Sequence, residues 1–127
     1  MAKEIISTTN APAPIGPYNQ AVLAGNMLFI SGQIALKPDT GELANLDVID
    51  EAHQVMQNLK AILAQASMDF SNVVKTTIFL SDMELFGQVN EIYGKYFESD
   101  DFPARETVAV KGLPKNVNVE ISMIAAK

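Results

Sequence analysis

The sequence predicts an α+β fold, a mixed β-sheet with two helices packed on one face, in the order β-β-β-α-β-α-β-β. Three observations carry that expectation. Residues 48–66 and 85–97 each show a single apolar stripe at three-four spacing. Other runs, such as Val73 to Leu80, are rich in β-branched and aromatic residues. Clusters of Gly, Pro, Asn and Asp separate them.

Lys3 to Thr8 is expected as a short first strand. Ala11-Pro12-Ala13-Pro14-Ile15-Gly16-Pro17 is a stiff loop, because its prolines remove backbone donors. Gln20 to Ala24 and Met27 to Ile34 flank Gly25-Asn26, a hairpin signal. Pro38-Asp39-Thr40-Gly41 is a turn. Asp47 is placed to cap the first helix, and Asp50 and Glu51 suit the positive end of its dipole. Its stripe is Val48, Ala52, Val55, Leu59, Ile62 and Ala66, with Met56 and Leu63 beside it. Val73 to Leu80 follows as a strand. Ser81 or Asp82 caps the second helix, whose stripe is Leu85, Val89, Ile92 and Tyr96, flanked by Phe86, Tyr93 and Phe97. Gly87 and Gly94 weaken it by about 1 kcal/mol each relative to Ala, and Asp100-Asp101-Phe102-Pro103 ends it. Thr107 to Val110 and Val117 to Ala125 are the last strands, expected to pair across Gly112-Leu113-Pro114-Lys115.

On the last strand Asn118, Glu120 and Ser122 share one face, opposite Val117, Val119, Ile121 and Met123. Ser31 and Gln33 are expected beside Met27 and Phe29. The face away from the helices is therefore mixed. It is either solvated or covered by another subunit, with a wet site at the seam.

Residues 1–127 are expected to form one domain. Hydrophobic residues make up 48% of the chain and charged residues 19%, so a packed core is affordable and disorder is not expected. With a net charge of −6 and only nine basic residues, scattered, nucleic acid is not an expected partner. The chain has no cysteine, which removes thiolate, disulfide and iron–sulfur chemistry. No metal site is expected: the single histidine, His53, lies in a helical stretch and reads as a packing residue. No phosphate loop or dinucleotide fingerprint is present. The start has no apolar signal core and no run is long enough to span a bilayer, so the expectation is a cytoplasmic protein without membrane contact.

Two charges stand out. Arg105 opens a strand-like run after Pro103, and Glu120 sits inside a run that otherwise reads as core. A guanidinium fork matches the two oxygens of a substrate carboxylate, and a nearby glutamate can handle water or a proton. The plainer reading is that they are solvated or paired with each other.

Taken together, Ala13-Pro14-Ile15-Gly16-Pro17-Tyr18, Phe29-Ile30-Ser31-Gly32-Gln33-Ile34, Thr40-Gly41-Glu42, Lys75 to Asp82, Val89-Asn90, Pro103-Ala104-Arg105 and Leu113-Pro114-Lys115 to Ala125 resemble the RidA/YjgF/YER057c/UK114 family. The resemblance implies a chorismate-mutase-like fold of the bacillus type and a homotrimer with three clefts between subunits. It also implies cofactor-independent hydrolysis of reactive 2-imino (enamine) acids to 2-keto acids and ammonia. Arg105 matches the residue that binds the substrate carboxylate, and Glu120 the acid beside the attacked carbon and its water. Tyr18, Ser31 and Gly32 match cleft-lining positions. Asn90 matches a family position whose role is either substrate contact or a hydrogen bond between subunits.

Many members carry Ser or Thr and then cysteine after the arginine, where this chain has Glu106 and Thr107. No thiol can act there, whereas the Thr107 carbonyl can. Glu106 is expected to point away from Arg105, because neighbours on a strand alternate faces. Rival readings are a non-catalytic binding or regulatory trimer, an RNA-directed translation inhibitor or ribonuclease, and a chaperone-like role.

Overall fold

A computed structural model describes residues 2–98 and 100–127. The strands are β1 (Glu4–Ile6), β2 (Ala21–Ala24), β3 (Met27–Gln33), β4 (Val73–Leu80), β5 (Ala104–Ala109) and β6 (Val119–Ala126), and the helices are α1 (Val48–Gln65) and α2 (Phe86–Gly94). Their order along the chain is the expected one, and the strands form one mixed sheet ordered β1-β2-β3-β6-β4-β5.

Local chemistry sets the element ends. The Asp47 side chain accepts a hydrogen bond from the Asp50 amide at 2.7 Å, as the cap expectation required. Asp82 accepts from the Glu84 amide at 2.8 Å and opens a short 3₁₀ turn, Met83–Leu85, that leads into α2. Gly25 takes φ 62° at the tip of the β2–β3 hairpin, a conformation that suits glycine. The α1 stripe is buried throughout, from Val48 to Ala66.

Three expectations are corrected. β5 and β6 do not pair with each other: β4 lies between them, parallel to β5 and antiparallel to β6. The segment joining them is no tight hairpin but a wide crossing with a 3₁₀ turn at Pro114–Asn116, where Lys115 and Asn116 take φ 56° and 55°. The second helix stops at Gly94, before Tyr96 and Phe97. Those rings turn instead into an aromatic cluster, with Phe97 5.4 Å from Phe70. Finally, the register of β3 slips between Ile30 and Gln33, so that Gln33 pairs with Ile121. This bulge moves Gln33 to the helix side, away from the face of Phe29.

The sheet's helix side carries Ile78 and Leu80 of β4 and Val119, Ile121 and Met123 of β6, all buried against α1 and α2. The outer side presents Phe29, Thr77, Ser122 and Ile124 around a shallow depression. Among the described residues no helix is long and apolar enough to cross a membrane.

Glu51 does not merely face the helix dipole. It is 2% exposed, and its carboxylate accepts from the backbone amides of Asn118 at 2.7 Å and Val119 at 2.9 Å, and from the Asn118 side chain at 3.1 Å. Glu51 thereby ties the first turns of α1 to the first residue of β6. Glu51→Ala is expected to cost at least about 3 kcal/mol, since it strands buried donors and leaves a cavity. Urea unfolding measures that loss, and a change within about 0.5 kcal/mol would show that the tie is dispensable.

Candidate active site

Glu120 stands on the outer side of β6, opposite Phe79 of β4. Strand alternation puts it there, because Val119 and Ile121 on either side are buried among the helices. It accepts no hydrogen bond and forms no ion pair among the described residues. Partial burial without a partner raises its pKa above the ordinary 4.5. Gly32, the bulge residue of β3, makes room for it. A Cβ on Gly32 would stand 2.8 Å from Glu120 Cδ and 3.0 Å from Oε1.

These two residues share a cavity of about 60 Å³ with Tyr18, Ile15, Pro114 and others. Tyr18 is held by its own loop: its hydroxyl accepts from the Ile15 amide at 3.2 Å. Buried Gln20, whose importance sequence patterning did not signal, stitches that loop to the sheet. Its amide nitrogen donates to the carbonyls of Thr8, Ala11 and Pro12, and its oxygen accepts from the Thr8 amide. Ser31 does not line the cavity. Its hydroxyl donates to the Asn19 carbonyl at 2.6 Å, so it too braces the loop.

Arg105 lies elsewhere. On β5 it registers with Thr76, a buried residue of β4, which places it on the helix side of the sheet. Its guanidinium rests over two rings of α2, 5.0 Å from Tyr93 and 5.7 Å from Phe86. Thr107 shares this side, and its hydroxyl is buried without a hydrogen-bond partner. Asn90 is exposed on α2 at helical spacing from Phe86 and Tyr93. Glu106 points the other way, as alternation requires, and pairs with Lys75 at 3.3 Å.

Within one chain, then, the predicted residues fall into two groups. Glu120, Gly32 and Tyr18 occupy the outer side, and Arg105, Thr107 and Asn90 the helix side, with the sheet between. A larger cavity of about 440 Å³, lined by residues such as Lys60, Phe70, Lys95 and Asp101, touches neither group. His53 also belongs to neither: its Nδ1 lies 2.9 Å from the Tyr96 hydroxyl.

Residues 8–127 match the family model described as endoribonuclease L-PSP. The chain is 50% identical to the mouse 2-iminobutanoate/2-iminopropanoate deaminase over 98% of its own length and 92% of that protein's. Its fold superposes on that of a Yersinia pestis protein of the conserved Rid family with a TM-score of 0.96, at 47% identity, covering 99% and 100% of the two chains. Escherichia coli TdcF, solved with bound serine, gives a TM-score of 0.92 at 41% identity over 98% of each chain.

Two outcomes follow from the Glu120 contacts. Gly32→Ala is expected to push the carboxylate outward, so its titration, followed by carboxyl-carbon NMR, moves back towards 4.5. An unmoved titration would show that Gly32 does not set its position. Because the folded-state pKa is raised, folding binds a proton at Glu120, and stability falls as pH rises from 4.5 through the raised value. Glu120→Gln is accordingly expected to melt higher than wild type at neutral pH and equally below 4.5. A lower melting point at neutral pH would contradict the unpaired, desolvated carboxylate.

Proposed function

The chain belongs to the endoribonuclease L-PSP (RidA/YjgF) family, and from that premise we propose that it hydrolyses 2-imino acids to 2-keto acids and ammonia in clefts between the subunits of a homotrimer. One observation carries the reading. Arg105 has no carboxylate partner among the described residues, Glu120 has no cation, and the sheet keeps them apart within one chain. Each is half of a carboxylate-binding and water-handling pair, so a second copy completes the site. The mixed outer face, with exposed Phe29 and Ile5, supports burial against another copy. TdcF, a relative solved with bound serine, holds a small carboxylate-bearing ligand.

The chemistry asks for little. The imine carbon is already electrophilic, so holding it next to a water supplies several kcal/mol of barrier reduction. Arg105 grips the carboxylate through two parallel N–H donors. Glu120 of the facing subunit accepts a proton from the attacking water, with the Thr107 carbonyl helping to orient it. Water's oxygen bonds to the carbon of the protonated imine, and the C=N electron pair returns to the nitrogen, which becomes an amine. Glu120 then returns its proton to that amine, the C–N bond breaks to release ammonia, and the hydroxyl proton passes back to Glu120 as the carbonyl forms. Acid–base help of this kind contributes roughly a hundredfold or more. Glu120's raised pKa brings it nearer neutrality, where a base that must also act as an acid is most effective. Tyr18 offers a hydroxyl at the same cavity. No step calls on a cofactor.

An RNA substrate is less well supported. Nine basic residues in a chain of net charge −6 provide no clustered phosphate-binding surface.

The reading is tested by subunit complementation. Arg105→Ala and Glu120→Gln homotrimers are each expected to lose acceleration of 2-keto acid release from 2-iminopropanoate. Co-expressed in equal amounts, they are expected to regain about a quarter of wild-type activity, because one interface in four pairs an intact arginine with an intact glutamate. No recovery from folded mixed trimers would place both residues in one subunit or remove them from the reaction.

A further inference from the structure

Among the described residues the guanidinium of Arg105 is held without an acidic partner. Its central carbon lies 5.0 Å from the Tyr93 ring centroid and 5.7 Å from that of Phe86. The two rings stand seven residues apart on α2, hence on one face of the helix. Tyr93 is immobile by construction. It is 4% exposed, its hydroxyl donates to Thr76 Oγ1 at 2.9 Å, and its ring packs 4.9 Å from Phe97. Thr76 is also the register partner of Arg105. The ring beneath the arginine and the backbone that bears it are therefore referred to the same point on β4. Phe86, at the start of α2, is 36% exposed and forms the open edge of the pair.

An aromatic face attracts a cation through its quadrupole and occupies none of its N–H donors. A carboxylate neighbour would fix the arginine too, but would consume the fork that a ligand needs. Glu106, the adjacent acid, is turned to the far side of the sheet and spent on Lys75. We propose that Phe86 and Tyr93 are positioning residues, a two-ring clamp that presents Arg105 with its donors free for a ligand carboxylate. This rests on the assignment of Arg105 to carboxylate binding made above. The clamp acts on affinity for the acid and not on the water or the proton transfers, because neither ring belongs to the Glu120 half.

The experiment compares wild type, Phe86→Leu, Phe86→Tyr and Arg105→Ala for 2-iminopropanoate turnover and, separately, for pyruvate binding by titration calorimetry. Phe86 is the residue to change because it is partly exposed, and melting curves confirm that its variants fold. Phe86→Leu is expected to raise KM, and the pyruvate Kd in parallel, about three- to tenfold, with kcat held within about twofold. Phe86→Tyr keeps a ring and is expected to restore both. Tyr93→Phe, which keeps its ring and loses only the bond to Thr76, is expected to shift KM less than Phe86→Leu does.

Wild-type KM and Kd in Phe86→Leu, with Arg105→Ala inactive, would overturn the clamp and leave the role of Arg105 standing. Equal losses in Phe86→Leu and Phe86→Tyr would overturn it as well, because the ring would then not be what matters. If wild type binds pyruvate but does not accelerate hydrolysis, the deaminase reading fails and the Kd series still decides the clamp. A wild type that neither binds nor turns over overturns both.

Discussion

The buried carboxylate of Glu51 is the constraint on which the rest depends. A charged group removed from water must find donors, and Glu51 finds its donors at the first two residues of the last strand's approach, Asn118 and Val119. One helix and one central strand are thereby locked in register. Glu120 follows immediately, so its place on the outer face is set by a contact made on the inner one. Asn58, about two turns further along α1, does the same for the C-terminal end of the bulged strand β3. It donates to the carbonyls of Ile34 and Leu36, just beyond Gly32. Both neighbours of the Glu120 cavity are thus pinned to α1 by buried polar groups.

The bulge in β3 joins this framework to chemistry. Between Ile30 and Gln33 the register slips and Gly32 lies under the Glu120 carboxyl, which a side chain at that position would meet. The result is a glutamate with no hydrogen-bond donor aimed at it among the described residues, partly desolvated and with its pKa raised. Arg105 presents the complementary situation across the sheet: a cation held by aromatic faces with its donors unspent. Both groups are kept short of partners, which is an unfavourable arrangement for a lone chain and a suitable one for a site shared between copies.

The exposed residues fit that arrangement. Phe29 and Ile5 are apolar and uncovered on the outer face, while Lys75, at the same depression as Phe29, pairs with Glu106. A surface of this kind combines apolar area with few unpaired charges, as subunit interfaces do. The departure at positions 106 and 107 therefore leaves the arginine unhindered. Glu106 is engaged on the far side, and Thr107 contributes a buried hydroxyl.

Much of this was legible in the residues. The α1 stripe, the Asp47 cap, the Gly25-Asn26 hairpin and the β4 segment are local signals, set by a few neighbouring side chains and by backbone preferences, and each appears where the pattern placed it. The family was legible too, because its motifs run in order along nearly the whole chain. Local residue patterns set which elements form, in which order, and which residue types bear the chemistry. The tertiary structure alone decided that β4 separates β5 from β6, that one extra residue turns Gln33 inward, and that Arg105 and Glu120 stand on opposite faces. Strand neighbours and register are chosen by contacts between residues far apart in sequence, and a one-residue slip exchanges the faces of everything beyond it.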